Sequence, residues 1–224
     1  MADTVVKPNV DEIVKALRKD TGELDLGPQA SRLFIQTLRL LTEGRPISPE
    51  QVTRIAASLN LSEDEVNLTL GGTSERNEAG HIVGLAGLSL NDWTHKFKVN
   101  GRTLSTWCAL DTLYLPAMLK QTADVVSPDP VTQEIIRLTI APDKVEQYTP
   151  ISAVISIVVP KVAVLGLKSA EEIWTVFCCY SHYFTSAETA RAWFEGKSVD
   201  SVILSIEQGR ELVLKWFEKV HKYA

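Results

Sequence analysis

The chain has 224 residues, 45% of them hydrophobic and 23% charged, with a formal net charge of −5. That length supports one large domain, or a small domain beside a medium one, and the composition is that of a globular protein. The acidic balance argues against a dominant nucleic-acid surface. Met1 to Lys19 has no apolar core of the kind a secretory signal carries, and the most apolar stretch, Ala153 to Leu167, is broken by Pro160 and Lys161 and is too short for a membrane span. Three cysteines form no paired framework and suit a reducing compartment. A soluble cytoplasmic protein with no membrane partner is expected.

The first third reads as helical. Ile13, Val14 and Leu17 predict a short helix, and Pro28 to Thr42 carries Leu33, Phe34, Leu38 and Leu41 at helical spacing. Ser48 is a suitable N-cap with Pro49 at the first helical position, for a helix to about Leu59. After a turn through Asn60, Ser62-Glu63-Asp64-Glu65 has the form of a capping box, and that helix ends near Gly71-Gly72. Two short helices with a tight turn suggest helix-turn-helix. His81-Ile82-Val83 and Thr94 to Val99, separated by turn residues, suggest a small β wing. A winged-helix-like module over residues 1–98 is therefore expected. Its second helix opens with Glu63, Asp64 and Glu65, which suit the helix dipole but repel phosphate; a packing or lid role fits better than DNA binding.

Residues 99–224 are expected to form an α+β domain with a mixed or antiparallel sheet and flanking helices. Leu104 to Lys120 reads as a helix, kinked or divided at Pro116. Val131 to Ile140, Ile151 to Val159, Thr175 to Phe184 and Val199 to Ile206 read as strands. Ala187 to Glu195 and Glu207 to Tyr223 read as helices. No internal repeat or low-complexity tract is present, and Ser127-Pro128-Asp129-Pro130 reads as a turn.

The reactive chemistry is concentrated in two segments, Trp107-Cys108-Ala109-Leu110-Asp111-Thr112 and Phe177-Cys178-Cys179-Tyr180. Cys108 and Asp111, three apart, share a helix face. With Ser105 or Thr106 as cap, Cys108 sits in the first turn, where the dipole favours thiolate while Asp111 opposes it. The plainer reading is a buried cysteine and a solvated aspartate. On a strand, Cys178 and Cys179 face opposite ways, so only one meets Cys108. Periodicity does not choose between them, and both also suit small buried positions. His182 is a candidate ligand or base, though a hydrogen-bonded sheet histidine is the simpler reading; His81, His95 and His221 carry no motif. There is no CxxC, HExxH, P-loop or GxSxG, and no paired spacing for zinc.

Taken together, Trp107 to Leu113 and Phe177-Cys178-Cys179, in this order and at this distance, resemble the organomercurial (alkylmercury) lyase family. Gly44-Arg45-Pro46-Ile47-Ser48 and Tyr183-Phe184 also fit the family. The resemblance implies cleavage of carbon–mercury bonds to a hydrocarbon and mercuric ion. It implies Cys108 as the first mercury-binding thiol, Asp111 as the proton-handling carboxylate and Cys178 as the second essential thiol, with Cys179 a bystander. It also implies no organic cofactor, an organomercurial substrate, and turnover assisted by low-molecular-weight thiols or a mercuric reductase. One departure is visible: the family often has a further structural cysteine in the turn that here reads Ser127-Pro128-Asp129-Pro130.

Mercury is soft and prefers thiolate, following the softness rule for other metals. A second thiolate weakens the Hg–C bond, and a carboxyl group held at the metal supplies the proton that the leaving carbon needs. Three rival readings follow from the same features: a non-catalytic mercury or copper(I) binding or delivery protein, a metal-responsive winged-helix regulator, and a thiol–disulfide oxidoreductase, which lacks its CxxC.

Overall fold

The computed structural model describes residues 9–21, 25–159 and 169–224. Apolar residues at helical spacing, Val10, Ile13, Val14 and Leu17, are buried on one face of α1 (Val10–Thr21), whose first turn is capped by the Asn9 side chain at 3.0 Å from the Asp11 amide. That face lies against the C-terminal helix α8 (Ile206–Trp216), and Arg18 donates to the Lys215 carbonyl at 2.7 Å. In α2 (Gly27–Leu41), Leu33, Phe34, Leu38 and Leu41 are buried as their spacing predicts. Helices α3 (Pro49–Ser58) and α4 (Glu63–Leu70) each open with a reciprocal capping box, Ser48 with Gln51 and Ser62 with Glu65. Both starts fall where the sequence places them.

Eight strands then form one antiparallel sheet: β1 (Ser74–Arg76), β2 (Ile82–Leu85), β3 (Leu88–Ser89), β4 (His95–Val99), β5 (Arg102–Thr106), β6 (Ala123–Pro128), β7 (Ile135–Ile140) and β8 (Val145–Thr149). Their spatial order is β1-β2-β3-β5-β4-β6-β7-β8. Residue 98, the expected division, lies inside β4, which pairs with β5 on one side and β6 on the other. The segments read as a wing are β2 and β4, with β3 and β5 between them in the sheet. A second antiparallel sheet has the order β10-β9-β11, from β9 (Val154–Val158), β10 (Tyr183–Phe184) and β11 (Ser201–Ser205). Every described strand pair is antiparallel.

The helix expected from Leu104 starts later. Residues 102–106 are strand β5, and the helix, α5, is Ala109–Leu119, so Cys108 rather than Ser105 or Thr106 occupies the N-cap position. The cause is the turn before it: Asn100 and Gly101 have φ of 53° and 72°, the pattern of a two-residue hairpin loop, and it pairs Val99 with Arg102. Helix α5 runs through Pro116 as one element. Ten of its eleven residues are buried, so it shows no polar stripe and serves as a central core helix against β4, β5, β6, β9 and α8.

The strand expected from Thr175 to Phe184 is a correction. Ser169 caps a helix, α6 (Ala170–Val176), by accepting from the Glu172 amide at 3.1 Å; a 3-10 turn over Cys178–Tyr180 follows, and only Tyr183 and Phe184 pair as strand. The aromatic residues Phe177, Tyr183 and Phe184 there are buried in the core, which strand propensity alone does not separate from true pairing. Three further strands are shorter than expected, the one from Val199 pairing only over Ser201–Ser205. The segment from Val131 begins pairing at Ile135, and the one from Ile151 begins at Val154. The apolar stretch Ala153 to Leu167 lies outside the described residues beyond Val159. Helix α7 (Ala187–Phe194) agrees with its reading, and the closing helix divides into α8 and a short α9 (Glu218–His221). No helix among the described residues is long and apolar enough to cross a membrane.

Candidate active site

Cys108 lies where β5 gives way to α5, and its amide donates to Asp111 Oδ2 at 2.9 Å. The Asp111 amide in turn faces the Cys108 sulfur, so the pair forms a capping box with a thiol in the usual hydroxyl position. This satisfies two donors of the helix N-terminus and turns both functional groups to the same side.

The second segment is strapped to the same helix end by Ser181. Its carbonyl accepts the Ala109 amide at 3.1 Å and its Oγ accepts the Leu110 amide at 3.3 Å. Ser181 is fully buried, and its own amide closes the 3-10 turn on the Cys178 carbonyl at 3.0 Å. Ser156 on β9 holds the turn from the other side through the Tyr180 carbonyl at 2.7 Å and the His182 amide at 3.2 Å. The result brings Cys108 Sγ, an Asp111 carboxylate oxygen and Cys178 Sγ within 4.8 Å of one another. Both cysteines are buried, at 0% and 3% exposure, while Asp111 is only partly buried as a residue.

Cys179 turns away. It is partly exposed and its thiol donates to the Thr175 carbonyl at 3.1 Å. The alternation expected for a strand is therefore not what separates the two thiols; the 3-10 turn does it. His182 is outside the cluster, with Nε2 2.9 Å from the Cys179 carbonyl and its ring edge-on to Trp193 at 4.9 Å. His95 is buried, 2.8 Å from Ser127 Oγ, and burial together with His182 and Lys96 lowers its pKa to about 3. His81 and His221 are not in the cluster either.

Electrostatics divide the labour among the three groups. Burial pulls the Cys108 thiol up, but the hydrogen bond from Cys178, the Asp111 amide and Ser181 overcome it and bring the pKa down to about 7. The Cys178 thiol is held well above its ordinary value by that same hydrogen bond to Cys108, then by burial and the neighbouring charges. Burial and the Cys108 charge push the Asp111 carboxyl well above the usual carboxylate range. The two thiols are thus shifted in opposite directions, Cys108 down and Cys178 up, beside a carboxyl group held above its ordinary value.

Residues 88–218 match the family model described as alkylmercury lyase. The chain belongs to the alkylmercury lyase family. It is 38% identical over 181 residues to an alkylmercury lyase from Streptomyces lividans, covering 79% of each chain. It is 39% identical over 163 residues to one from Pseudomonas putida, covering 72% of each, and 33% identical over 209 residues to one from Bacillus cereus, covering 92% of this chain and 90% of the other. The crystal structure of the mercury-bound form of MerB2 shares the fold, with a TM-score of 0.68 at 23% identity over 96% of this chain and 98% of that one. The alkylmercury lyase match contains Cys108, Asp111, Cys178 and Cys179.

Several residues of this alkylmercury lyase family member that shape the site carry no motif. Ser181 is one. Gly87, whose carbonyl accepts the Trp107 amide at 2.9 Å, is another. Trp107 is buried with its ring N–H on the Glu75 carboxylate. Ser127 and Pro128, read as part of a turn, are instead the last residues of β6, and the turn begins at Asp129. The buried Asp129 carboxylate accepts from the Thr185 amide at 2.8 Å, Thr185 Oγ1 at 2.9 Å, and the Val131 and Thr132 amides at 2.7 and 3.2 Å. It ties this turn to the residue after β10. The four contacts explain why the Val131 segment is a turn rather than strand.

Proposed function

We propose that this chain cleaves the carbon–mercury bond of organomercurials by protonolysis at Cys108, Asp111 and Cys178. One observation carries the reading: two buried sulfurs and a carboxylate oxygen lie within 4.8 Å of one another, close enough for one mercury atom to bridge the thiols with the carboxyl beside it. The Cys108 thiolate displaces the substrate's counter-ligand and gives an R–Hg–S species. Asp111 takes the proton of the Cys178 thiol as that sulfur binds mercury. An ordinary carboxylate is too weak a base for this transfer; the raised pKa of Asp111 brings it closer to the thiol. The Hg–C electron pair then takes the proton from Asp111, leaving R–H, a mercuric ion on two sulfurs, and the carboxylate restored. Mercury enters as substrate and leaves as product, and no organic cofactor takes part.

Release of the product requires competing thiols, either small molecules or the cysteines of a mercuric reductase, because two thiolates hold a soft ion strongly. Residues 1–98 are proposed to form a winged-helix-like module. Supporting this, Ile47 between α2 and α3 bridges Ile82, and β1 and β2 form a hairpin after α4. Its exposed Glu63, Asp64 and Glu65 favour a packing role over nucleic-acid binding.

The test is incubation of the purified protein with phenylmercury and excess thiol, with benzene measured in the headspace. Benzene release supports the reading. Stoichiometric mercury binding without benzene favours a soft-metal delivery protein built on the same three side chains.

A further inference from the structure

The turn between β2 and β3 reaches the Asp111 carboxyl. Leu85 pairs with Leu88, leaving Ala86 and Gly87 as a two-residue loop with φ of 44° and 88°. Positive φ at both positions defines the tight hairpin turn that follows strand twist, and it strains the alanine. The strain is held by hydrogen bonds: the Ala86 amide donates to the Thr73 carbonyl at 2.8 Å, the Trp107 amide to the Gly87 carbonyl at 2.9 Å, and the Tyr114 hydroxyl to the Ala86 carbonyl. Tyr114 is one helical turn beyond Asp111 on α5 and is buried, stacked on Phe217 at 4.5 Å.

Gly87 faces the Asp111 carboxyl directly. A Cβ built there would fall on Asp111 Cγ and lie 2.5 Å from both carboxylate oxygens. The carboxyl has little freedom to yield, because Oδ2 is already engaged by the Cys108 amide. A side chain at 87 must therefore push the carboxyl off that amide and out of its place beside the two sulfurs.

We propose that Gly87, locked in place by Tyr114 through the Ala86 carbonyl, is a positioning residue that sets where the Asp111 carboxyl stands over the thiols. The inference rests on the reading of Asp111 as the proton donor. Gly87 acts by what it lacks: only hydrogen at this position leaves room for the carboxyl beside mercury. Binding of the substrate to Cys108 does not depend on it, whereas proton delivery to carbon does. The expected signature is a loss in kcat with KM preserved.

Gly101 provides the control. It has a similar φ of 72° in a hairpin of the same sheet, yet a Cβ there meets nothing within 4 Å. Gly101→Ala carries the backbone cost without touching the site.

The experiment measures hydrocarbon release from phenylmercury with excess thiol for Gly87→Ala, Gly101→Ala, Tyr114→Phe and Asp111→Ala, with stoichiometric capture of phenylmercury as a second readout. Gly87→Ala is expected to lower kcat roughly 100-fold with KM within about threefold and capture intact. Gly101→Ala is expected to stay within about twofold of the parent, and Tyr114→Phe to lose about tenfold in kcat. If Gly87→Ala does not fold, Gly87→Ala/Asp111→Ala should, since the clash is then gone; failure of that double variant counts against the proposal. Full kcat in Gly87→Ala or Tyr114→Phe, or equal losses in Gly87→Ala and Gly101→Ala, overturns it. Undiminished release by Asp111→Ala instead overturns the proton-donor reading itself.

Discussion

The Cys108 amide and the Asp111 carboxylate are joined across the first turn of α5 by a 2.9 Å hydrogen bond. The cap of a buried helix is thus the place where the proposed nucleophile and the proposed acid meet. The same hydrogen bond holds the carboxyl in place and caps the helix, which makes substitutions here informative about chemistry as well as stability.

Cys108→Ser is expected to abolish hydrocarbon release, by at least about 1000-fold, because hydroxyl is a poor ligand for a soft metal. Cys178→Ser should still capture phenylmercury at Cys108 yet release no benzene. Cys179→Ser, whose thiol faces the Thr175 carbonyl instead of the cluster, should remain within about threefold of the parent. Headspace chromatography with mercury stoichiometry checks all three. Activity in Cys178→Ser equal to the parent would remove the two-thiol mechanism.

The pH dependence follows from the Cys108 thiol at about 7. A thiol ionises as pH rises through its pKa, so its nucleophilicity is low below that value and reaches a plateau above it. Iodoacetamide labelling of Cys108 in the mercury-free protein should climb from about pH 6 to about pH 8. A midpoint near that of an unperturbed thiol, about 8.5, contradicts the hydrogen-bonded arrangement.

Ser181→Ala removes the acceptor of the Leu110 amide and a donor to the Cys108 sulfur. The labelling midpoint should rise by about one unit, and the rate near neutral pH should fall roughly tenfold. Ser181→Thr keeps a hydroxyl and should recover part of the loss. An unchanged midpoint in Ser181→Ala would assign the serine to helix capping alone.

Asp129→Ala is expected to cost roughly 3 kcal/mol of stability, since it orphans buried donors at Thr185 and in the turn. Burial pulls the Asp129 carboxyl up, but the Thr185, Val131 and Thr132 hydrogen bonds prevail and hold it below its ordinary value. The sign follows from that depression. The contribution is complete above the unfolded-state value near 4 and is lost as pH falls through the lower folded value. Urea unfolding of both proteins at neutral pH and at about pH 3 measures it: the gap between them should shrink in acid. A gap independent of pH would mean that the ionised carboxylate is not the stabilising form.

Much of the site and of the helical scaffold is decided by near neighbours. Ser48 with Gln51 and Ser62 with Glu65 mark their helix starts, and Cys108 and Asp111 share a face because three residues span most of a helical turn. Asn100-Gly101 is also a local signal; it explains why β5 rather than helix precedes Cys108, and the apolar run of α5 masks it. The choice between Cys178 and Cys179 is different in kind. It depends on a 3-10 turn held by Ser181 on the α5 amides and by Ser156 on β9, contacts that join residues far apart in the chain. The approach of Gly87 to Asp111 likewise arises only when the β2–β3 turn is packed against the helix. The sequence by itself determined where the thiols and the carboxylate lie in the chain and which two share a helical turn, because hydrogen bonding and side-chain period act over a few residues. Tertiary structure decided which second thiol joins them and where the carboxyl stands, because those depend on packing between segments whose spacing in sequence carries no periodic signal.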